Sequence, residues 1–129
     1  MSTISGSESK KPFRTALRKV QGAVVLEVSG TVDLDTVGSF REALAETLAR
    51  STSCDGGTPC VVVDLTECEA MDYRGLREVL DAAAKLRDAG GRLKVADAVA
   101  GPVRRMFEAA REDYGLPLYP DAQAALAAG

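Results

Sequence analysis

Few residues in the chain are equipped for acid–base or nucleophilic chemistry. There is no histidine, which removes the commonest general base near neutral pH and, with it, Ser-His and Cys-His catalysis. Three cysteines, Cys54, Cys60 and Cys68, form neither a CxxC pair nor a zinc-ligand spacing, and the odd count argues against a disulfide framework. Small thiols, buried or half-buried, are the plain expectation, with a Cys54–Cys60 bridge across the loop as the other arrangement the spacing allows. Carboxylates are plentiful, but Asp33, Asp35, Asp64 and Asp72 fall at the ends of strand-like runs, where caps and turns use them. Neither GxGxxG nor GxxxxGK[ST] occurs, and Gly56-Gly57 precedes a strand instead of opening a helix. These residues point to no enzyme, no metal site and no cofactor.

The unusual stretch is EAMDYRGLREVL, residues 69–80. Asp72 reads as the N-cap of a helix, accepting from the free amides at its mouth. Tyr73 and Arg74 are then the first two helical residues, where small polar side chains are the usual choice. An exposed arginine at the positive end of the helix dipole is opposed by about 0.3–1 kcal/mol, a cost that nearby Asp72 can offset. Tyr and Arg are also residue types enriched at protein interfaces, because each joins a large contact area to hydrogen-bonding reach. Two arrangements therefore fit: a Tyr73–Arg74 anchor for a partner, or a tyrosine lying over neighbouring apolar surface with its hydroxyl in water.

The elements that must position this stretch follow from periodicity. At 129 residues the chain is long enough for one domain and one core. Residues 1–12, rich in Ser, Gly and Lys, read as a disordered leader, and residues 13–129 as a single domain. FRTALRKV and AVVLEVSG, separated by Gln21-Gly22, suggest an antiparallel hairpin. Val37, Phe40, Leu44 and Leu48 recur at helical spacing, with Asp35 or Thr36 as N-cap. A polar loop over residues 51–59 leads to CVVVDL, an unbroken apolar run of the kind found in buried parallel strands. From Leu76, the positions Val79, Leu80, Ala83 and Leu86 trace one helical face, ended by Gly90-Gly91. RLKVAD makes a fourth strand; Pro102 opens a helix with a stripe of Val103, Met106, Phe107 and Ala110. GLPLYP holds a minimal edge strand, and DAQAALAA a short helix capped by Asp121. Alternating strands and helices imply an α/β fold. Its sheet would be mainly parallel, with four to five strands, a leading antiparallel hairpin and four helices.

The hairpin ending VSGTVDLDT, the strand VVVDLTECEAMD running into GL, the segment AAAKLRDAGGRLKV and the helix GPVRRMFEAA together resemble the STAS domain family, the fold of anti-sigma-factor antagonists. The most specific piece is D-x-x-G-L at Asp72, Gly75 and Leu76. The resemblance implies a non-catalytic, protein-binding regulator in partner-switching control of transcription, whose partner is an anti-sigma factor that is itself a serine kinase. In the family that kinase phosphorylates a Ser or Thr directly after the aspartate of a D-[ST]-[ST]-G-L loop. Carried over by position, the phosphoacceptor-equivalent residue here is Tyr73, and Arg74 replaces the next hydroxyl; Asp33, in GTVD, matches an aspartate near the partner surface. The implied partner-binding set is therefore Asp33, Asp72, Tyr73, Arg74 and Gly75. A serine-directed active site would not find the Tyr73 hydroxyl at the expected distance from the backbone, so the usual switch is expected to be missing, with Thr66 and Ser39 as other acceptors to consider. The resemblance equally accommodates a scaffold or accessory subunit of a stress-signalling or lipid-transport complex.

A net charge of −3 provides no basic footprint for nucleic acid. Apolar runs are short and broken by charge, and MSTISGSESKKP has no apolar core of a secretory signal, so a soluble, cytoplasmic protein without membrane insertion is expected. The sequence leaves a homo-oligomer open.

Overall fold

A computed structural model describes residues 12–20, 22–52, 58–97 and 102–128. Strands β1 (Arg14–Val20) and β2 (Ala23–Val32) pair antiparallel in unbroken register from Arg14 opposite Ser29 to Val20 opposite Ala23. Strands β3 (Cys60–Met71), β4 (Arg92–Ala96) and β5 (Leu118–Tyr119) continue the sheet in parallel, in the order β1-β2-β3-β4-β5. Helices α1 (Val37–Thr52), α2 (Tyr73–Asp88), α3 (Pro102–Tyr114) and α4 (Ala122–Ala127) complete the expected architecture.

The strand period of two divides the apolar residues between the sheet's faces. Leu26, Val28, Val61, Val63, Leu93 and Val95 turn toward the stripes of α1, α2 and α3, forming the main core with Phe40, Leu44, Val79, Leu86 and Phe107. Val25, Val62 and Ala96 turn the other way and meet Ala122 and Ala125 of α4. Val61, Val62 and Val63 are fully buried because β3 is covered on both faces, which explains why its sequence does not alternate. Buried Lys94 ties α4 down: its Nζ donates to the Ala125 carbonyl at 2.9 Å and lies 5.7 Å from the Tyr119 ring centroid.

Three boundaries differ from expectation. First, β2 runs to Val32 and β3 to Met71, past the periodic runs AVVLEVSG and CVVVDL though in keeping with the strand VVVDLTECEAMD that the family resemblance implies, with register shifts between Glu27 and Ser29 and between Gly30 and Thr31. Cys68 and Met71 turn inward while Glu67, Glu69 and Ala70 stay exposed, so a stretch that looks loop-like in composition remains in the ladder. Second, neither Asp35 nor Thr36 caps α1 through its side chain. The Thr36 hydroxyl instead donates to the Thr31 carbonyl at 2.8 Å and accepts the Asp33 N–H at 2.9 Å, while the Asp33 carbonyl accepts the Val37 N–H at 2.8 Å. Third, β1 begins at Arg14, after Phe13, which is half-buried against the core. The expected leader, Pro12 apart, lies outside the described residues, as do Cys54 and most of the 51–59 loop. Cys60 is a half-buried free thiol and Cys68 a buried one.

Candidate functional site

The five residues implied as a binding set converge where β2 and β3 leave the sheet. Val32 and Met71 are the last pair of that ladder, and the Asp72 N–H donates to the Val32 carbonyl at 3.0 Å. Beyond this bond the two chains diverge side by side, one as Asp33-Leu34 into α1 and the other as Asp72-Tyr73 into α2. An ion pair from Arg41 of α1 to Glu78 of α2, at 3.0 Å, links the two helices a turn further along.

Asp33 builds the first loop. Its Oδ1 accepts the amides of Asp35 at 3.0 Å and Thr36 at 3.2 Å, an Asx turn of the kind short carboxylates favour. Asp72 builds the second loop as the N-cap of α2: Oδ1 accepts the Arg74 N–H at 2.9 Å, and Oδ2 takes the Arg74 Nη1 at 2.9 Å. One carboxylate thus satisfies a free amide and neutralises the cation at the positive end of the helix, so Arg74 is tolerated there. At this exposure the ion pair is worth at most about 1 kcal/mol.

Gly75 has a steric role. A Cβ there would stand 2.6 Å from Met71 Cγ and 2.9 Å from Val32 Cγ1, so only glycine lets the first turn of α2 sit against the ends of β2 and β3. Leu76, beside it, is buried. The D-x-x-G-L frame is therefore a packing device: a cap, two outward positions, a contact without a side chain and a core anchor.

The two outward positions carry the exposed groups. Tyr73 is 66% exposed, so most of its surface stands in solvent. Arg74 is exposed as well, held by its ion pair with Asp72. One residue of this surface escaped the sequence reading: Leu34, 67% exposed, is with Tyr73 one of two large exposed hydrophobic side chains among the described residues. The signal was an apolar residue between two aspartates in VDLDT; once β2 reaches Val32, Leu34 falls beyond the ladder with no face to bury it.

The other hydroxyls do not share the helix mouth. Thr66 lies within β3, where its hydroxyl donates to Asp64 Oδ1 at 2.7 Å. Ser39 is exposed in the first turn of α1. Burial pushes the Cys68 thiol up to about 11, so it stays protonated and is a poor nucleophile near neutral pH. Among the described residues no cluster of three or more His, Cys, Asp or Glu could hold a metal, and no helix is long and apolar enough to cross a membrane.

A five-stranded mixed sheet led by an antiparallel hairpin, with four helices and an exposed helix mouth after β3, is the architecture of the STAS fold. Residues 15–117 match the family model described as Mlab, STAS domain, and the chain belongs to the STAS domain family. Among solved structures, the chain is similar to an anti-sigma factor antagonist from Mycobacterium paratuberculosis, with 29% identity and a TM-score of 0.76 over 91% of this chain and 93% of that one. It is also similar to the phosphorylated form of the Bacillus cell fate determinant SpoIIAA, at 17% identity and a TM-score of 0.61 over 92% of this chain and 100% of that one. A third similar structure is the murine Solute Carrier 26 family member A9 anion transporter, at 12% identity and a TM-score of 0.63, over 84% of this chain but 18% of that chain. No curated protein matches the chain.

Proposed function

We propose that this STAS protein is a non-catalytic regulator of the anti-sigma-factor-antagonist type, binding a kinase-like anti-sigma factor in the cytoplasm through the mouth of α2, without the usual Ser/Thr phosphorylation switch. The observation that carries the reading is Tyr73, a large exposed side chain in the position directly after the capping aspartate of an intact D-x-x-G-L frame. Similarity over nearly the whole length of a mycobacterial anti-sigma factor antagonist supports the class of partner.

The physics of the switch supports its loss. Phosphate on a short hydroxyl at this mouth would add about 1.5 to 2 negative charges with their bound water, enough to expel a packed partner while the helix N-terminus tolerates the anion. Tyr73 holds its hydroxyl at the far end of a ring, and Arg74 offers none. Binding then rests on the fixed chemistry of the surface: Asp33 and Asp72 shape the two loops, Gly75 seats α2, and Tyr73 with Arg74 supplies contact area and hydrogen bonds. Intact-protein mass spectrometry after incubation with the kinase-like partner and MgATP tests this reading. An unmodified chain is expected, and stoichiometric phosphate on Tyr73 would contradict it.

A second reading, an accessory STAS subunit of a transport assembly, is favoured by the Mlab description of the family model and by the similarity to part of an anion transporter. Co-purification separates the two: recovery of a kinase-like factor supports the regulator, and recovery of membrane-transport subunits supports the accessory role.

A further inference from the structure

We infer that Leu34 is a second anchor of the docking surface beside Tyr73, and that the partner surface it fits is an apolar groove bordered by Lys or Arg side chains; the inference rests on the partner-binding reading of the helix mouth. Single exposed leucines are common on protein surfaces and carry little meaning. Here the two large hydrophobic side chains left in solvent among the described residues follow directly after two aspartates at the ends of adjacent, hydrogen-bonded strands. The Asp72–Val32 hydrogen bond that aligns those ends brings the Leu34 and Tyr73 loops to the same end of the sheet, where the parallel strands finish. Two exposed apolar side chains on neighbouring loops, each flanked by polar groups, match the composition of interface anchors within a polar rim.

Charge selects the partner's rim. The Arg74 guanidinium is balanced by Asp72, so that half of the surface is near neutral. Asp33 and Asp35 flank Leu34, and among the described residues neither takes part in an ion pair; Asp33 meets only backbone amides and the Thr36 hydroxyl. Both carboxylates flank the leucine without a cationic partner among the described residues, and this negative charge favours a cationic rim and disfavours an acidic one.

A phage-displayed library of random dodecapeptides, selected on the whole wild-type chain, provides the probe. The selected peptides are expected to combine aromatic or aliphatic residues with Lys or Arg. Synthesised and titrated by fluorescence anisotropy, they should bind the Leu34→Ser variant at least about tenfold more weakly, as loss of an anchor does. Asp35→Asn should flatten the dependence of affinity on salt. Circular dichroism melts matching wild type establish that Leu34→Ser is folded. Binders weakened by Tyr73→Ala but unaffected by Leu34→Ser overturn this inference and leave the helix-mouth reading standing, whereas binders unaffected by either variant overturn both. Acidic binders, or a library that yields none, also overturn it.

Discussion

The Asp72 N–H and the Val32 carbonyl meet at 3.0 Å, closing the parallel ladder of β2 and β3 at the point where both strands end. This bond places the turn built by Asp33 beside the helix mouth built by Asp72, so two loops separated by about forty residues of sequence make one surface. The ends of β2 and β3 fix where the two loops leave the sheet, and Leu34, Tyr73 and Arg74 stand exposed on them.

Gly75 should tolerate no side chain. With its Cβ position 2.6 Å from Met71 Cγ, Gly75→Ala must displace Met71 or lift the first turn of α2. A destabilisation of about 1–3 kcal/mol is expected from such overpacking, measured as a lower urea midpoint. Met71→Ala in the Gly75→Ala background should recover part of the space and lessen the further loss that Gly75→Ala causes. An unchanged midpoint for Gly75→Ala would show that the turn is looser than described.

Asp72→Ala removes the N-cap and leaves the Arg74 cation unopposed at the helix mouth. The combined loss should be about 1–2 kcal/mol. Asp72→Asn keeps a capping oxygen and should cost less, with the difference between the two variants shrinking at high salt. Equal melting temperatures for Asp72→Ala and wild type would remove the cap from the explanation of the frame.

The buried Cys68 thiol gives a pH dependence of definite sign. Its folded value is raised from 9.0 to about 11, chiefly by burial. Below pH 9 both the folded and unfolded chains keep the proton, and the thiol's contribution is fully present. Between pH 9 and 11 the unfolded chain loses the proton first, so stability falls as pH rises, by about 2–3 kcal/mol for this group. Cys68→Ala should show a shallower decline than wild type across that window, as read by urea unfolding at each pH. Equal slopes would mean that Cys68 is as accessible in the folded state as in the unfolded one.

Rebuilding the family loop should rebuild the switch. Tyr73→Ser with Arg74→Ser restores D-S-S-G-L at residues 72–76 without touching Asp72, Gly75 or Leu76. Incubated with the kinase-like partner and MgATP, this variant should gain one phosphate by mass and then lose affinity for the partner. A variant that folds and binds but stays unmodified would show that more of the site than its two hydroxyls has been lost.

Much of this architecture was legible in the sequence because period and punctuation agreed. The VVV run announced a doubly covered strand, and Pro102, Gly90-Gly91 and Asp121 marked helix boundaries. The Asp72–Arg74 pair was also legible, since the two residues are close in sequence and opposite in charge. What escaped was tertiary. TECEAM stays in the sheet because Cys68 and Met71 reach the core across a shifted register, which composition does not reveal. Thr36 stands directly before α1, as its spacing suggests, but its hydroxyl turns back to Thr31 instead of capping the helix, an interaction between partners on either side of a turn. Leu34 was passed over because its exposure depends on where β2 ends, and the steric need for Gly75 appears only when α2 is laid on Met71 and Val32.

The most direct measurement is a calorimetric titration of the kinase-like partner with wild type and with the Tyr73→Ala, Arg74→Ala double variant, both shown to be folded by their melts. If the mouth of α2 is the docking surface, the double variant should bind at least about tenfold more weakly. Equal affinities for two folded proteins would place the partner elsewhere on the molecule.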